Sequence, residues 1–345
     1  MFVLTNERCL VGDLNIGLIG SGRIGQVHAG SIADTKGANL VWICDPFIEG
    51  AEKLAAEFGG KVTADPEDVF KSGEVDVIVV ASPTPTHLDM IDRAIDAGIH
   101  VLCEKPIDLD IEKVEKLRDK ANAANVHIAI GFNRRFDPQF ESIQRRVAAG
   151  EAGKLEQLVI LSRDPGPAPR AYIAVSGGIF RDMTIHDFDM ARYFVPDIVD
   201  VYAAGTNVFS DDIKAENDYD SVSVTMRGRG GEIIVIVNSR HSAYGYDQRL
   251  EAFGDKAMFH AHNVSPTTVQ KYDAAGTGQA EPFIDAFLVR YAVSYRRELA
   301  LFLDGIRDGK NYNPTFDDGR AALILADAAT ESARTGVSVS VDGKL

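Results

Sequence analysis

Three short stretches of this chain carry residue types and spacings that suit chemistry. In the first, Gly177-Gly178-Ile179-Phe180-Arg181-Asp182-Met183-Thr184-Ile185-His186-Asp187-Phe188-Asp189-Met190-Ala191-Arg192, Asp182 and His186 stand four residues apart. On a helix they share one face. A carboxylate beside an imidazole orients the ring and stabilises its protonated form. That suits a general base that removes a hydroxyl proton while hydride leaves the same carbon. Asp189, three residues on, is placed to support His186 from behind. The same residues admit two other readings. One is an ordinary helix whose acidic first turn is favoured by the dipole. The other is a metal site from Asp182, His186 and Asp187, which ranks last because no histidine pair accompanies it within the stretch.

The second stretch is Gly20-Ser21-Gly22-Arg23-Ile24-Gly25, a GxGxxG. Its glycines permit a tight turn and let backbone N–H groups approach a pyrophosphate at a helix N-terminus. The pattern alone is weak. Here an apolar run precedes it, a helical pattern follows it, and a second apolar run ends in Asp45, 20 residues past Gly25. A carboxylate there accepts from the adenosine ribose hydroxyls and repels a 2′-phosphate, and Pro46 and Phe47 supply no cation to receive one. NAD is therefore expected over NADP. Arg23 either contacts phosphate or is a solvated arginine at a helix start. The third stretch, Glu104-Lys105-Pro106, follows the apolar run Ile99–Cys103. A lysine at the carboxyl edge of a parallel sheet can orient a hydroxyl and stabilise charge developing on its oxygen. The X–Pro bond is a candidate cis peptide. Taken alone, Glu-Lys-Pro reads as a surface turn.

The elements that must hold these residues follow from the hydrophobic pattern. Short apolar runs at 14–20, 40–45, 75–81, 99–103 and 126–130 alternate with helical patterns at 24–33, 47–58, 86–97 and 111–124. Continuously apolar strands between helices predict a doubly wound parallel sheet, an α/β domain over 14–131. Beyond it the pattern changes. A helix is expected at 138–149. Longer, partly alternating strands follow at 155–163, 198–204, 221–227, 232–239, 248–253 and 267–272, and closing helices at 283–306 and 316–333. Strands in succession predict an α+β domain with a mostly antiparallel sheet over 132–345.

Composition limits the partners. The net charge of −15 repels phosphate backbones and anionic lipid, which disfavours nucleic-acid and membrane-surface roles. No apolar run approaches the roughly 20 residues of a membrane span. Cys9, Cys44 and Cys103 form no CxxC pair, which points away from a disulfide framework or zinc site and towards a reducing cytoplasm. The first 13 residues lack the basic and apolar pattern of a signal peptide and read as a loose extension.

Together, GSGRIG after the first strand, EKP at the sheet edge and GGIFRDMTIHDFDMARY in the second domain resemble the Gfo/Idh/MocA oxidoreductases, from Leu14 onward. The resemblance implies a Rossmann domain, a second domain with a large open sheet, and face-to-face pairing into dimers or tetramers. It implies oxidation of a sugar or cyclic polyol with NAD, myo-inositol being the expected substrate and scyllo-inositol or an aldose the alternative. A non-catalytic NAD-binding regulator is disfavoured, since a sensor has no need of a base. By matching motif, Lys105 looks like the lysine that holds substrate and the nicotinamide end, and Asp182 and His186 like the acid–base pair. Arg135 of Gly131-Phe132-Asn133-Arg134-Arg135, Asp164, Tyr246 and Tyr291 look like substrate contacts. Candidate cofactor contacts are Gly20, Gly22, Arg23, Ile24, Gly25, Asp45, Ser82, His87, Glu104 and Lys105. Some members acting on inositols have His and Asn where Ser162 and Asp164 stand, so the preferred stereoisomer is left open.

Overall fold

In the computed structural model the described residues are 12–345. Cys9 and most of the expected N-terminal extension lie outside them. The chain divides into two units. One comprises the residues up to Gly131 together with Tyr295–Phe316, and the other comprises Phe132–Ser294 with Asp317–Leu345.

Among the described residues the first unit holds six strands, β1 (Leu14–Ile19), β2 (Ala38–Cys44), β3 (Lys61–Thr63), β4 (Val77–Val80), β5 (His100–Glu104) and β6 (Ile128–Gly131). Helices α1 (Arg23–Ala33), α2 (Ile48–Phe58), α3 (Pro66–Lys71), α4 (His87–Ala97) and α5 (Ile111–Ala123) connect them. All neighbours pair in parallel, in the order β3-β2-β1-β4-β5-β6. Chain direction across the sheet reverses between β1 and β4, which opens the crevice where doubly wound sheets bind ligands. Strand β4 (VIVV) is buried at every position, as a central strand covered on both faces must be. The short edge strand β3 and helix α3 were not expected: three residues are too few to show a period.

The second unit opens with α6 (Pro138–Ala148), β7 (Leu155–Arg163), α7 (Arg170–Ile173), α8 (Ile179–Asp182), α9 (Ile185–Phe194), β8 (Ile198–Thr206) and α10 (Asp211–Ala215). It continues through β9 (Ser221–Gly228), β10 (Ile233–Ser239), β11 (Asp247–Gly254), β12 (Met258–Ala261), β13 (Gln270–Asp273), β14 (Gly276–Ala280) and α11 (Phe287–Arg290). After α12 (Ala292–Asp308) come α13 (Phe316–Thr335) and β15 (Val339–Ser340). Seven described strands form one sheet in the order β12-β11-β7-β10-β9-β8-β15. Only the central β7–β10 pair is parallel; the others are antiparallel. Strand β9 (SVSVTMRG) alternates buried and solvent-facing positions, the mark of a sheet with one open face.

Two expectations are corrected here. The expected second domain ran unbroken to the C-terminus, yet Leu299, Phe302, Leu303 and Ile306 of α12 sit in the first unit's core with Ile16, Ile32 and Leu102. An amphipathic pattern shows that a helix buries a face but not which core receives it. The stretch around Asp182 and His186 is not one helix. It breaks at Met183 and Thr184 between α8 and α9, where the buried Thr184 hydroxyl turns to donate to Asn238 Oδ1 at 2.6 Å.

Candidate active site

The first unit builds a dinucleotide cradle from backbone constraints. Gly20 leaves β1 with φ +102°, and a Cβ there would stand 2.7 Å from Ala81 and Ser82 backbone atoms. A Cβ on Gly25 would stand 2.1 Å from the Gly20 carbonyl, so this glycine lets α1 pack against the turn. Gly22, the N-cap of α1, faces open space. The helix start has no side-chain cap and no acidic residue in its first turn, unlike α3, α5 and α6, which carry capping aspartates. That leaves its positive end suited to a phosphate. Arg23 is exposed beside it and Ile24 half-buried.

Asp45 follows β2. Its Oδ2 accepts from the Ser21 N–H and hydroxyl, both at 2.7 Å, and its Oδ1 from the Phe47 N–H at 2.8 Å. The carboxylate therefore pins the glycine turn. Together these residues fit NAD.

At the neighbouring strand ends, Lys105–Pro106 is a cis peptide. Glu104 lies 2.9 Å from Nε2 of His28, a residue of α1 that is only 1% exposed and that sequence reading passed over. Expected as a cofactor contact, Glu104 is thus engaged with α1. His87 is likewise engaged within the first unit. Its ring is 1% exposed, with Nδ1 2.7 Å from the Pro106 carbonyl and Nε2 2.8 Å from the Ser82 carbonyl. Burial drives its pKa down, against the pull of both carbonyls, Glu104 and Asp108.

In the second unit, Tyr246 and Tyr291 are brought together with Ser162 around Arg134, the neighbour of the arginine that was expected. The Arg134 guanidinium donates to Asp187 Oδ1 at 2.5 Å, Ser162 Oγ at 3.0 Å and Tyr246 OH at 3.4 Å. Asn238 donates to the other Asp187 oxygen at 2.8 Å, and the Ser162 and Tyr291 hydroxyls stand 3.1 and 3.2 Å from Gln248 Oε1. The two tyrosine rings meet edge to face at 6.0 Å. Burial raises the Asp187 carboxyl above its ordinary value, although Arg134, Asn238 and Ser162 all pull it down. Burial also pushes the Tyr291 phenol up to about 12. The charge of half-buried Asp164 is felt at both Arg134 and Tyr246.

Arg135 is committed elsewhere. It grips Asp189 through two nitrogens at 2.5 and 2.8 Å and reaches Asp318 at 3.2 Å. Asp189 is therefore the arginine's partner, which corrects its expected role behind His186. His186 is half-buried, its ring edge-on to Phe132 at 6.2 Å. Asp182 accepts from Tyr172 OH at 2.9 Å and from Arg240 at 3.2 Å, and Arg240 is itself buried and bridges to Asp218 at 3.1 Å. Sequence reading missed Arg134, Arg240 and Tyr172; only Arg134 had a signal, as its neighbour in the same motif. Among the described residues no three metal-ligating side chains gather, and no helix is long and apolar enough to cross a membrane.

A parallel sheet with this strand order, a close-packed glycine turn and a carboxylate after β2 defines a dinucleotide-binding Rossmann domain. Residues 14–132 match the Gfo/Idh/MocA model described as an oxidoreductase family with an NAD-binding Rossmann fold, and residues 140–260 match the GFO/IDH/MocA C-terminal domain. The chain belongs to the Gfo/Idh/MocA oxidoreductase family and is an NAD-dependent dehydrogenase. It is 40% identical over 330 residues to the inositol 2-dehydrogenase of Rhizobium meliloti (strain 1021), covering 95% of this chain and 99% of that protein. A crystal structure of a myo-inositol dehydrogenase from Corynebacterium glutamicum ATCC 13032 is 58% identical and superimposes with a TM-score of 0.92, covering 95% of this chain and 99% of that one. The scyllo-inositol 2-dehydrogenase (NAD(+)) of Bacillus subtilis (strain 168) is 33% identical over 330 residues, covering 95% of this chain and 96% of that protein.

Proposed function

We propose that this enzyme oxidises one secondary ring hydroxyl of myo-inositol to the 2-keto product. The observation that carries the reading is the likeness, over 95% of the chain, to dehydrogenases of inositols. Arg134, Ser162, Tyr246, Gln248 and Tyr291 are buried and hydrogen-bonded to one another, a polar layer inside the second unit. A site built to pair hydroxyls rejects analogues lacking them, each unpaired buried group costing about 1–3 kcal/mol.

NAD, when bound, accepts hydride from the carbinol carbon. His186 takes the hydroxyl proton, and Asp182 steadies the imidazolium that forms. Lys105 donates to the reacting oxygen and keeps the hydroxyl in line. Asp164 accepts from a vicinal pair of hydroxyls. Asp182 is suited to its task because Arg240 and Tyr172 fix its carboxylate. Arg135, locked to Asp189, acts on substrate indirectly by holding α9.

Oxidation of scyllo-inositol is the second reading, favoured by the similarity to a dehydrogenase of that isomer and by Ser162 and Asp164 in place of His and Asn. Turnover with NAD across myo-inositol, scyllo-inositol, aldoses, cyclohexanol and lactate tests both. The expected result is strong NADH formation with myo-inositol, less with aldoses and none with the last two. Activity on lactate with none on any cyclitol or sugar overturns the substrate class.

Pairing of copies through the open face of the seven-stranded sheet completes the reading. Tyr202, Ile233, Phe253 and Met258 are 40–46% exposed on that face, and half-buried Val159, Val235 and Val237 lie between them. Sedimentation that shows only monomers at micromolar concentration would contradict it. A reducing, cytoplasmic setting fits the buried thiols of Cys44 and Cys103, both free.

A further inference from the structure

We propose that His87 is a positioning residue that couples the turn carrying Lys105 to the turn flooring the NAD cradle. This rests on the reading of Lys105 as the residue that orients the reacting hydroxyl. His87 opens α4 and is 1% exposed. Its two nitrogens reach backbone carbonyls on two different turns, Nδ1 to Pro106 at 2.7 Å and Nε2 to Ser82 at 2.8 Å. The turns leave β5 and β4, which are paired neighbours, so one ring spans the carboxyl edge of the sheet at the crevice.

Each end of the bridge leads directly to a functional element. Pro106 follows Lys105, so moving its carbonyl moves the lysine backbone. On the other side of Lys105, Glu104 is held by His28, and its Oε2 lies 3.3 Å from the Lys105 N–H. The lysine backbone is thus braced from α1 and from α4. At the other end, the Ala81–Ser82 peptide lies against Gly20, where a Cβ would stand only 2.7 Å away, so the Ser82 turn sets the floor of the glycine turn. Ser82 Oγ, 2.6 Å from Thr86 Oγ1, adds a second tie. Both partners of the ring are pure acceptors, so each contact requires a ring N–H. Burial disfavours the doubly protonated ring that would serve both, and a neutral ring donates to one turn at a time.

Two amides separate the two ends. In His87→Asn the side-chain amide stands where Nδ1 stood and keeps the Pro106 contact. In His87→Gln it reaches the position of Nε2 and keeps the Ser82 contact. The measurements are kcat with NAD and myo-inositol, NADH affinity by fluorescence, and the melting temperature. His87→Gln should lower kcat about tenfold and leave NADH affinity within about twofold. His87→Asn should weaken NADH about fivefold and lower kcat less than about threefold. On a Lys105→Met background, His87→Gln should cost no further kcat, because the residue it positions is gone. Equal losses of kcat and NADH affinity in the two variants, or a Gln effect undiminished on the Lys105→Met background, would overturn the proposal. If His87→Gln does not fold, His87→Asn decides: a kcat loss as large as its loss of NADH affinity refutes the coupling. Native turnover in Lys105→Met alone would instead refute the lysine reading, and the NADH measurement on His87→Asn would still test the cofactor end.

Discussion

Removing Arg134 tests the polar layer of the second unit most severely. Asp187 has no exposed surface and is held by Arg134 at 2.5 Å, Asn238 at 2.8 Å and Ser162 at 2.9 Å. Arg134→Met keeps most of the buried stem and deletes the charge. Breaking a buried pair by removing one partner costs about 3–5 kcal/mol, because the remaining charge is left in low dielectric. Asp187 keeps two neutral donors, so the loss should sit near the lower end, about 3 kcal/mol, a fall in melting temperature of roughly 6–12 °C. The pH dependence follows from the sign of the shift. The folded-state pKa of Asp187 is raised by burial, so the native state binds this proton more tightly than the unfolded chain does. Stability from that site is present below the ordinary carboxylate pKa and lost as pH rises through the folded value. Without Arg134 the folded value rises further. The deficit of Arg134→Met against the native protein should therefore grow as pH rises and shrink as pH falls. Thermal melts from pH 5 to 8 measure it. Adding Asp187→Leu should recover much of the loss, since an apolar pair replaces the orphaned charge. A deficit below about 1 kcal/mol, or one that does not change with pH, would refute the reasoning.

Three other outcomes follow from the same geometry. NAD should exceed NADP in kcat/KM by at least about tenfold, roughly 1.4 kcal/mol, and Asp45→Ser should erode that ratio while also weakening NAD, because Asp45 fastens Ser21; equal use of both cofactors by the native enzyme would refute this role. Gly25→Ala should lower the melting temperature, since its methyl meets the Gly20 carbonyl, whereas Gly22→Ala, facing open space, should leave the melt unchanged and weaken NADH binding; the reverse pattern would contradict the cradle. His186→Ala should lower kcat by about 10²–10⁴ with NADH affinity retained, and near-native turnover would make the imidazole structural.

The halves of the molecule differed in how readable they were, for a physical reason. The cofactor half is set by backbone needs that act locally. A positive φ at Gly20, a helix packed on Gly25 and fully apolar central strands each leave a residue type at a fixed offset, and the glycine turn, the strand succession and Asp45 follow from these alone. The substrate half is set by partners far apart in sequence. Arg134 binds residues 28, 53 and 112 positions away, while Arg135, one residue on in the same 3-10 turn, points to Asp189 and Asp318. Two adjacent arginines look alike in the sequence; the turn alone decides which one meets the tyrosines. The helix expected through Asp182 and His186 breaks at Met183 and Thr184, where the Thr184 hydroxyl donates to Asn238, 54 residues on. The burial of His87 also leaves no local mark, since any histidine can begin a helix. Charged and hydrogen-bonding residues acquire their roles from long-range pairing, and a buried polar group that loses its partner costs stability. The residues hardest to assign by pattern are thus the ones with the most partners to lose, and single substitutions among them should have the largest effects.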